Sequence, residues 1–484
     1  MTKTLVYLIG AGSGDPELIT QKASRILKNV DVVLYDYLVH PNIVLIAKDA
    51  KKICVGKKKG AHSTKQVDIN KQLIQFAKEG LSVARLKGGD PMIFGRCGEE
   101  MAALNECQIP YEIIPGISSA IAVPTYAGIP ITHREHSHSV AFVTATRADD
   151  IQNSDFPNAD TLVIMMSLLR LSPLVSRLKE LRSQDTPIAI IASGTYADEK
   201  IVVGTLETIE QMQADNQLLP PALIIVGNVV NLHAQFNWRD HLPLKSHRFV
   251  LFRSDHQQSK LRDLLSVAGA EVLALSLNQI TYQDQWLESL DLGSFTHIVF
   301  TSENAVRAFV KAIIGVTDLR QLANKTLISI GTHTSKTLLE FGLKADLVPD
   351  QSTTSDLIEY LMPMLSASHH VLYPTSSEAS NELLSLTQTG AKVVKCLAYK
   401  NDPPVDIEQY LDWIHSDDIF VFMNSAAVDR LATVYKKLNA HQSISIGPKT
   451  TESLKAMGVS KIYESDAASI ESVMDTIIKN KNNF

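Results

Sequence analysis

The stretch RLKGGDPMIFGR, residues 85–96, has the residue types of a ligand-binding loop at the end of a buried strand. An apolar run ends at Leu86, and two glycines, an acid and a proline follow. Gly88 and Gly89 can adopt a positive φ and let a ligand approach the main chain closely. Asp90 can accept hydrogen bonds from hydroxyl or amine groups. The stretch therefore predicts a loop that binds a small molecule with such groups.

A second glycine-rich loop follows the first strand pattern, in VYLIGAGSGDPELIT, residues 6–20. Its third glycine comes one residue too early for the G-x-G-x-x-G fingerprint of dinucleotide-binding proteins. Carboxylates at Asp15 and Asp90 would also repel a phosphate group. Loops rich in glycine and acid instead favour a ligand that has hydroxyl groups and a positive centre. The glycines of this loop are Gly10, Gly12 and Gly14.

With these loops, the first half of the chain resembles the tetrapyrrole methylase family, and most closely its uroporphyrinogen-III C-methyltransferases. The matching strings run in order over about 230 residues and far exceed a chance agreement. They are GAGSGDPELIT (10–20), DVVLYDYLV (31–39), VGKKKGAHS (55–63), RLKGGDPMIFGRCGEE (85–100), IIPGISSAIAVPTYAGIPITHR (113–134), TLVIMMS (161–167), ASGT (192–195), VVGTLETI (202–209) and PALIIVGNVV (221–230).

The resemblance implies an α/β fold of two subdomains with the active site between them. It also implies methyl transfer from S-adenosylmethionine to C2 and C7 of uroporphyrinogen III, which gives precorrin-2 for siroheme or cobalamin. Such an enzyme must align the donor with a pyrrole carbon and take up the proton that the macrocycle loses. We expect no metal, and a homodimer formed through this half.

The resemblance assigns catalytic and donor-binding roles to particular residues. Asp36 would be the proton acceptor and Lys57 the proton donor. Without the family, Asp36 is typical of a turn or helix cap, and Lys57 of a solvated charge run. Contacts with S-adenosylmethionine fall on Ser13, Gly88, Gly89, Asp90, Ile93, Ser118, Ser119, Met166 and Gly194. The chain departs from the family pattern at Ser13, Cys97, Met165 and Ser167.

Uroporphyrinogen carries eight carboxylates, so cationic side chains near the cleft should bind it. Arginine is suited to carboxylates because its guanidinium donates two parallel hydrogen bonds. The alternative is that some of these side chains form ordinary ion pairs. The candidates are Lys58, Lys59, Arg85, Lys87, Arg96 and Arg134.

The composition fits a soluble α/β protein with several domains. The 484 residues are 45% hydrophobic and 20% charged, with a formal charge of −6. Apart from KKK at 57–59 there is no basic run, which argues against nucleic acid as a partner. No apolar stretch approaches the roughly 20 residues of a membrane span, and no signal peptide pattern is present. We therefore expect a cytoplasmic protein.

The cysteines have no metal-like spacing, and we expect free thiols in a reducing compartment. A zinc site can be imagined from the cysteine after Arg96 and three nearby histidines, but its spacing is not diagnostic. The four cysteines are Cys54, Cys97, Cys107 and Cys396, and the histidines are His133, His136 and His138.

The second half of the chain contains a duplication with an offset of roughly 120 residues. Each unit reads as strand, small polar loop and helix, which predicts two similar α/β lobes around a cleft. The paired strings are FVLFRSD (249–255) with VLYPTSS (371–377), HIVFTSENAVRAFV (297–310) with IFVFMNSAAVDRLA (419–432), and TLISIGTHTSKTLLEFGL (326–343) with SISIGPKTTESLKAMGV (443–459).

This half resembles uroporphyrinogen-III synthase through FTSENAV (300–306), SIGPKT (445–450) and CLAYKN (396–401). The expected domains are therefore a methyltransferase over 1–245 and a synthase over 246–484. The synthase lobes would be about 246–280 plus 404–484, and about 281–403. The two activities are consecutive, since one makes uroporphyrinogen III from hydroxymethylbilane and the other methylates it.

Cyclisation of hydroxymethylbilane passes through a stabilised cation, so a strong catalytic constellation is not expected. The resemblance suggests that Tyr399 assists departure of the hydroxyl group as an acid; the alternative is an ordinary strand tyrosine. Hydroxyl and amide groups at strand-to-helix loops would bind the substrate's carboxylates, although helix capping also explains them. They are Thr301, Ser302, Asn424, Ser425 and Thr450.

Two other functions fit parts of the sequence. The first half could be another methylase of the same fold, such as one for a later corrin ring, a protein or an RNA. The complete string at 85–96 and the fused synthase argue against that. The second half could be a tetrapyrrole sensor that regulates the methyltransferase without catalysis, since it has no visible catalytic signature.

Overall fold

The structure is a computed structural model that describes residues 5–56, 65–145, 151, 156–252, 255–351, 353–404 and 407–484. Lys57, Lys58 and Lys59, for which catalytic and substrate-binding roles are predicted, lie outside the described residues. The chain forms two compact units, one of Met1–Leu275 with Leu411–Phe484 and the other of Ser276–Tyr410. The domain and lobe boundaries expected from the sequence stay predictions.

The first sheet of the larger unit is fully parallel, with the strand order β3-β2-β4-β1-β5. Its strands are short apolar runs, typical of parallel strands covered on both faces. Helices α1 and α2 pack on one face and α3 and α4 on the other. These elements are β1 (Val6–Gly10), α1 (Gln21–Leu27), β2 (Val32–Tyr35), α2 (Pro41–Val44), β3 (Lys51–Cys54), α3 (Gln66–Lys78), β4 (Val83–Lys87), α4 (Cys97–Glu106) and β5 (Tyr111–Ile114).

The second sheet is mixed, with the order β6-β7-β10-β8-β9. Only the β6–β7 pair among its described strands is parallel. Helix α5 packs on one face, in a cluster with the central strands. The elements are α5 (Ser119–Tyr126), β6 (Val140–Thr144), β7 (Thr161–Met165), α6 (Leu171–Leu181), β8 (Pro187–Ala192), β9 (Lys200–Thr205), α7 (Ile209–Asn216), β10 (Ala222–Val226) and α8 (His233–Phe236).

The third sheet also belongs to the larger unit and is parallel, with the order β12-β11-β18-β19-β20. Strand β12 is therefore an edge strand. Residues of this sheet's two chain segments share one apolar core. The elements are β11 (Arg248–Phe252), α9 (Asp255–Val267), β12 (Glu271–Leu275), β18 (Ile419–Phe422), α15 (Ser425–Val434), β19 (Ser443–Ser445), α16 (Pro448–Ala456), β20 (Ile462–Glu464) and α17 (Ile470–Asn480).

The fourth sheet forms the smaller unit, with the order β13-β17-β16-β14-β15 and an antiparallel edge strand β13. Helix α11 buries one apolar face against it, and Ser302 caps its first turn. The elements are β13 (Gln279–Tyr282), α10 (Gln285–Glu288), β14 (His297–Phe300), α11 (Glu303–Val316), β15 (Thr326–Ser329), α12 (Thr332–Glu340), α13 (Thr354–Leu361), β16 (His370–Ser376), β17 (Lys392–Asp402) and α14 (Ile407–Leu411).

The α/β fold class predicted from the sequence is confirmed. The strands of the predicted duplication take equivalent places, because β12-β11-β18-β19 in the third sheet corresponds to β17-β16-β14-β15 in the fourth.

None of the helices in the described ranges is both long and apolar enough to cross a membrane. Short 3-10 helices lie at Pro16–Leu18, Leu168–Arg170, Asn228–Leu232, Trp238–His241, Leu292–Ser294, Leu319–Leu322, Glu382–Thr389 and Leu438–Ala440.

Candidate functional site

Three glycine-containing loops lock together at the carboxyl ends of β1, β4 and β5. Gly12 and Gly89 exchange backbone hydrogen bonds, with N–O distances of 3.2 and 2.7 Å. A Cβ atom on Gly116 would lie 2.3 Å from the carbonyl oxygen of Gly89 and 2.7 Å from the Cα of Gly10. Glycine is therefore required here because the backbones touch. This edge of a parallel sheet is where α/β proteins bind ligands.

The Asp90 carboxylate joins two of these loops. Its Oδ1 accepts a hydrogen bond from the Met92 N–H at 2.8 Å, and its Oδ2 accepts one from the Gly116 N–H at 3.0 Å. A Cβ atom on Gly89 would lie 3.4 Å from the Ser119 nitrogen, next to Ser118. The structure thus brings together four of the predicted donor-binding residues. It also places Ile93 in this loop, where its N–H donates to the Asp90 carbonyl.

A loop from the second sheet reaches the same place. The Thr195 hydroxyl donates to the carbonyl oxygen of Ser13 at 2.7 Å. Gly194 lies against α5, where a Cβ atom would come within 2.4 Å of the Val123 side chain. Ser13 and Gly194 therefore join the cluster. Met166 follows β7 in the second sheet and is half exposed.

Left-handed backbone conformations concentrate in these loops. Among described residues other than glycine, five of the seven with positive φ lie in the 85–96 stretch, at the end of β7 or after β8. Thr195 is the most unusual, because its β-branched side chain disfavours its φ of +76°. Such strain costs about 1–3 kcal/mol for each residue and concentrates at functional sites. The five residues are Phe94, Arg96, Met166, Ser193 and Thr195.

A buried charge cluster supports Asp36, which follows β2. The Arg85 guanidinium on β4 donates to Asp36 Oδ1 at 2.5 Å and to Glu100 Oε1 at 2.9 Å. Lys87, two residues along β4, donates to both oxygens of Glu100 at 2.9 and 3.0 Å. Glu100, Arg85 and Lys87 are at most 2% exposed, whereas the Asp36 side chain is one-third exposed. The cluster therefore balances its charges and leaves part of the Asp36 carboxylate accessible.

Glu100 is the residue of this cluster that sequence analysis missed. Its only signal in the sequence was its place in the motif RLKGGDPMIFGRCGEE, on the first turn of α4. Arg85 and Lys87 were expected among the ligands of substrate carboxylates. Since both are buried and bonded to Glu100, their placement favours a role in supporting Asp36 over direct contact with the substrate.

The other predicted substrate cations that the structure describes are exposed. Arg96 is paired with Glu99 through two hydrogen bonds of 2.8 Å, and Arg134 lies on the surface. Large apolar side chains are also exposed along these loops, which is unusual for such residues. Leu38 is one of them, and its Cβ would lie 3.8 Å from a Cβ on Gly88. They are Tyr37, Leu38, Met92, Phe94, Ile117, Ile121 and Met166.

In the smaller unit, Ser302 and Tyr399 meet. The Ser302 hydroxyl lies 3.1 Å from the Tyr399 hydroxyl and accepts a hydrogen bond from the Ala305 N–H, so it also caps α11. Burial raises the pKa of Tyr399, although hydrogen bonds from Ser302 and Ser376 lower it in part. The neighbouring Thr301 donates to the hydroxyl of a second tyrosine on β16. Tyr399 is therefore a neutral phenol within a hydroxyl cluster.

The remaining predicted synthase residues lie in the larger unit. Asn424 caps α15 by accepting a hydrogen bond from the Ala427 N–H at 2.8 Å, and Ser425 is the first residue of that helix. Thr450 was expected in a strand-to-helix loop. It lies instead within α16 and is buried, because the helix begins at Pro448, right after the glycine at its N-cap.

Comparisons with known proteins divide the chain in two. A family model of the tetrapyrrole (corrin/porphyrin) methylases matches residues 5–210, and a model of uroporphyrinogen-III synthase HemD matches residues 259–475. The chain is 49% identical over 234 residues to the uroporphyrinogen-III C-methyltransferase of Methanocaldococcus jannaschii, covering 47% of this chain and 97% of that protein.

Two further relatives extend this similarity. The uroporphyrinogen-III C-methyltransferase of Bacillus subtilis is 37% identical over 355 residues, covering 70% of this chain and 72% of that protein. The siroheme synthase of Psychrobacter arcticus is 47% identical over 239 residues, covering 48% of this chain and 44% of that protein. The chain spans about half the length of the siroheme synthases that it matches.

Gly116→Ala should destabilise the protein by about 1–3 kcal/mol, because the new Cβ would meet backbone atoms that cannot move independently. Gly98→Ala is the matched control, since a Cβ at this helical position meets no atom within 4 Å. The control should be neutral or stabilise by roughly 0.5–1 kcal/mol. Urea denaturation of both variants would measure the difference, and equal stabilities would contradict the locked-loop packing.

Glu100→Gln should destabilise the protein by about 3–5 kcal/mol, because it leaves the buried Arg85 and Lys87 without their shared counter-charge. Glu99→Gln removes the neighbouring exposed carboxylate and should change stability by less than about 0.5 kcal/mol. The measurement is the free energy of unfolding of each variant. A Glu100 variant as stable as the Glu99 variant would show that the cluster is not needed for stability.

Proposed function

The chain belongs to the tetrapyrrole methylase family and carries a uroporphyrinogen-III synthase domain, and from this premise we propose that it is a bifunctional enzyme of tetrapyrrole biosynthesis. Its second half cyclises hydroxymethylbilane to uroporphyrinogen III. Its first half methylates that product at C2 and C7 to give precorrin-2 for siroheme or cobalamin. The observation that carries the methyltransferase proposal is the set of locked glycine loops beside Asp36, whose side chain is one-third exposed.

S-adenosylmethionine is the proposed methyl donor, and its sulfonium supplies an electrophilic methyl group. The loops suit it because Gly88 is exposed and a Cβ there would meet no atom closer than the Leu38 Cβ at 3.8 Å, so a ligand can approach its backbone. Asp90 keeps acceptor capacity beyond its two backbone hydrogen bonds and can bind hydroxyl or amino groups. The remaining donor contacts are proposed at Ser13, Gly89, Ile93, Ser118, Ser119, Met166 and Gly194.

Asp36 is the proposed acceptor of the proton that the macrocycle loses. Arg85 fixes one carboxylate oxygen, and the exposed part of the group can face the substrate. A base held in this way loses little freedom when it acts, which favours proton transfer. The exposed apolar side chains beside the loops supply contacts for the pyrrole rings, and Arg96 and Arg134 supply charge for the peripheral carboxylates.

Tyr399 is the proposed acid of the synthase reaction. Its hydroxyl is buried among the hydroxyls of Ser302 and Ser376, and its raised pKa keeps it protonated at neutral pH. It can therefore donate a hydrogen bond to the departing hydroxyl group of hydroxymethylbilane. Thr301, the neighbour of Ser302, donates its hydroxyl hydrogen to the Tyr373 hydroxyl.

The decisive assay supplies hydroxymethylbilane and S-adenosylmethionine to the full-length protein under anaerobic conditions, with products identified by mass and isomer. We expect the dimethylated type III product.

Asp36→Asn should lower kcat for methylation by about 10²-fold or more, as expected for loss of a general base. Asp49→Asn, at an exposed position, should leave kcat unchanged.

Two outcomes would count against the proposal. Methylation only when uroporphyrinogen III is supplied would make the second half a sensor and leave the methyltransferase intact. An Asp36→Asn variant that keeps the full rate would remove Asp36 from the reaction.

Tyr399→Phe should lower kcat for cyclisation of hydroxymethylbilane by roughly 10²-fold, because it removes the proposed acid. Since burial raises the pKa of Tyr399, its ionisation should not lower the wild-type rate up to about pH 10. Tyr282→Phe is the matched control, because Tyr282 is the partner of Tyr399 across the β13–β17 pair. Equal rates for the two variants would make Tyr399 a packing residue.

A further inference from the structure

We propose that strand β12 of the synthase half is a positioning element of the methyltransferase site. The strand holds the segment that follows Asp36, so the first half depends on the second for the placement of its proposed base. This inference rests on the proposed function of Asp36. It concerns only the larger compact unit, which contains both the methylase sheets and the third sheet.

The first contact is between Asn42 and the edge of β12. The Asn42 side-chain amide donates to the Val272 carbonyl at 2.7 Å, and its oxygen accepts from the Ala274 N–H at 3.0 Å. The amide thus pairs with the strand as a neighbouring strand would, and it satisfies backbone groups that an edge strand leaves open. Asn42 lies in α2, six residues after Asp36.

The second contact is made by Glu271, the first residue of β12. Its Oε2 accepts a hydrogen bond from the Ala197 N–H at 2.9 Å, and its Oε1 lies 3.6 Å from His40 Nε2. His40 is buried, and its Nδ1 accepts from the Asn42 N–H, so its proton is on Nε2 and faces Glu271. Among the described residues that nitrogen has no hydrogen-bond partner within normal distance, so it depends on the charge of Glu271 nearby. The charged group that faces this nitrogen is therefore the Glu271 carboxylate of the third sheet.

Glu271 is itself held rigidly. Arg248 on β11 donates to Glu271 Oε1 at 2.7 Å and to both oxygens of Asp418 at 2.7 and 2.8 Å. Burial would raise the pKa of Glu271, but His40, Arg248 and the Ala197 N–H lower it to about 2. Glu271 is therefore ionised at neutral pH, and its position is fixed by the third sheet.

The same carboxylate also braces a second active-site loop. Tyr196, next to Ala197, donates its hydroxyl hydrogen to the Leu38 carbonyl at 2.9 Å. Leu38, His40 and Asn42 are thus tied, directly or through Tyr196, to one strand of the synthase half. The Tyr196 loop also carries Gly194, a proposed donor contact.

Two variants of the full-length protein test the dependence. Asn42→Ala removes the edge-strand pairing, and Glu271→Gln removes the charge that faces Arg248 and His40. We expect each to lower kcat for methylation by roughly 10-fold, because small misplacements of catalytic groups are costly, while KM for S-adenosylmethionine changes less. Amide hydrogen exchange of residues 36–46 should become faster in both.

The matched controls remove similar groups that do not contact β12. Asn29→Ala deletes an exposed amide bonded to the Arg25 carbonyl, and Glu112→Gln deletes an exposed carboxylate paired with Lys22. Both should keep the wild-type rate and exchange. Asn42→Ala is the milder variant, so it still tests the proposal if Glu271→Gln fails to fold.

The readouts separate this inference from the proposed function. Unchanged exchange of 36–46 and an unchanged methylation rate in a folded Asn42→Ala protein would overturn the positioning role. A rate loss without faster exchange would also overturn it. Faster exchange in a protein that has no methyltransferase activity even as wild type would contradict the proposed function but support the structural coupling.

Discussion

Buried charges that must be paired constrain much of the larger unit. In the first sheet, Arg85 lies between Glu100 and Asp36, and in the third, Arg248 lies between Glu271 and Asp418. An unpaired charge at these places would cost several kcal/mol, so each arginine fixes the carboxylates on both sides. In each cluster one carboxylate belongs to the core and the other reaches toward the proposed active site. Because the buried arginines must be paired, they also fix the positions of Asp36 and Glu271.

The backbone of the loops at the candidate active site imposes a second requirement. Gly10, Gly89 and Gly116 touch through main-chain atoms, and the loops beside them hold residues such as Thr195 at unfavourable φ. Such conformations persist only where surrounding contacts over-determine them. Here those contacts include the hydrogen bond from the Thr195 hydroxyl to the Ser13 carbonyl oxygen. They also include the hydrogen bond from the N–H of Ala197, two residues later, to the Glu271 carboxylate. The strained loop backbone and the buried charges around Glu271 are therefore connected through the short segment 195–197.

The sequence predicted what short-range patterns encode. Apolar runs and glycine loops indicated the α/β class, and the repeated strings of the second half anticipated the matching strand orders of the third and fourth sheets. Contacts between residues that are far apart in the chain could not be predicted from the sequence. Asn42 and Val272 are 230 positions apart, and no local pattern marks either. The pairing of Glu100 with Arg85 joins a helix to a strand, and Thr450 was misplaced because its helix begins directly after a glycine.

The segment after Asp36 has two supports of different origin. Arg85 holds its start from within the methylase sheet, and β12 holds its later residues from the synthase half. A segment fixed at one end keeps the proposed base Asp36 in the right region, but fixation at both ends also sets the orientation of the backbone between them. The placement of the proposed base therefore depends on contacts from both halves of the chain, and neither half supplies them alone.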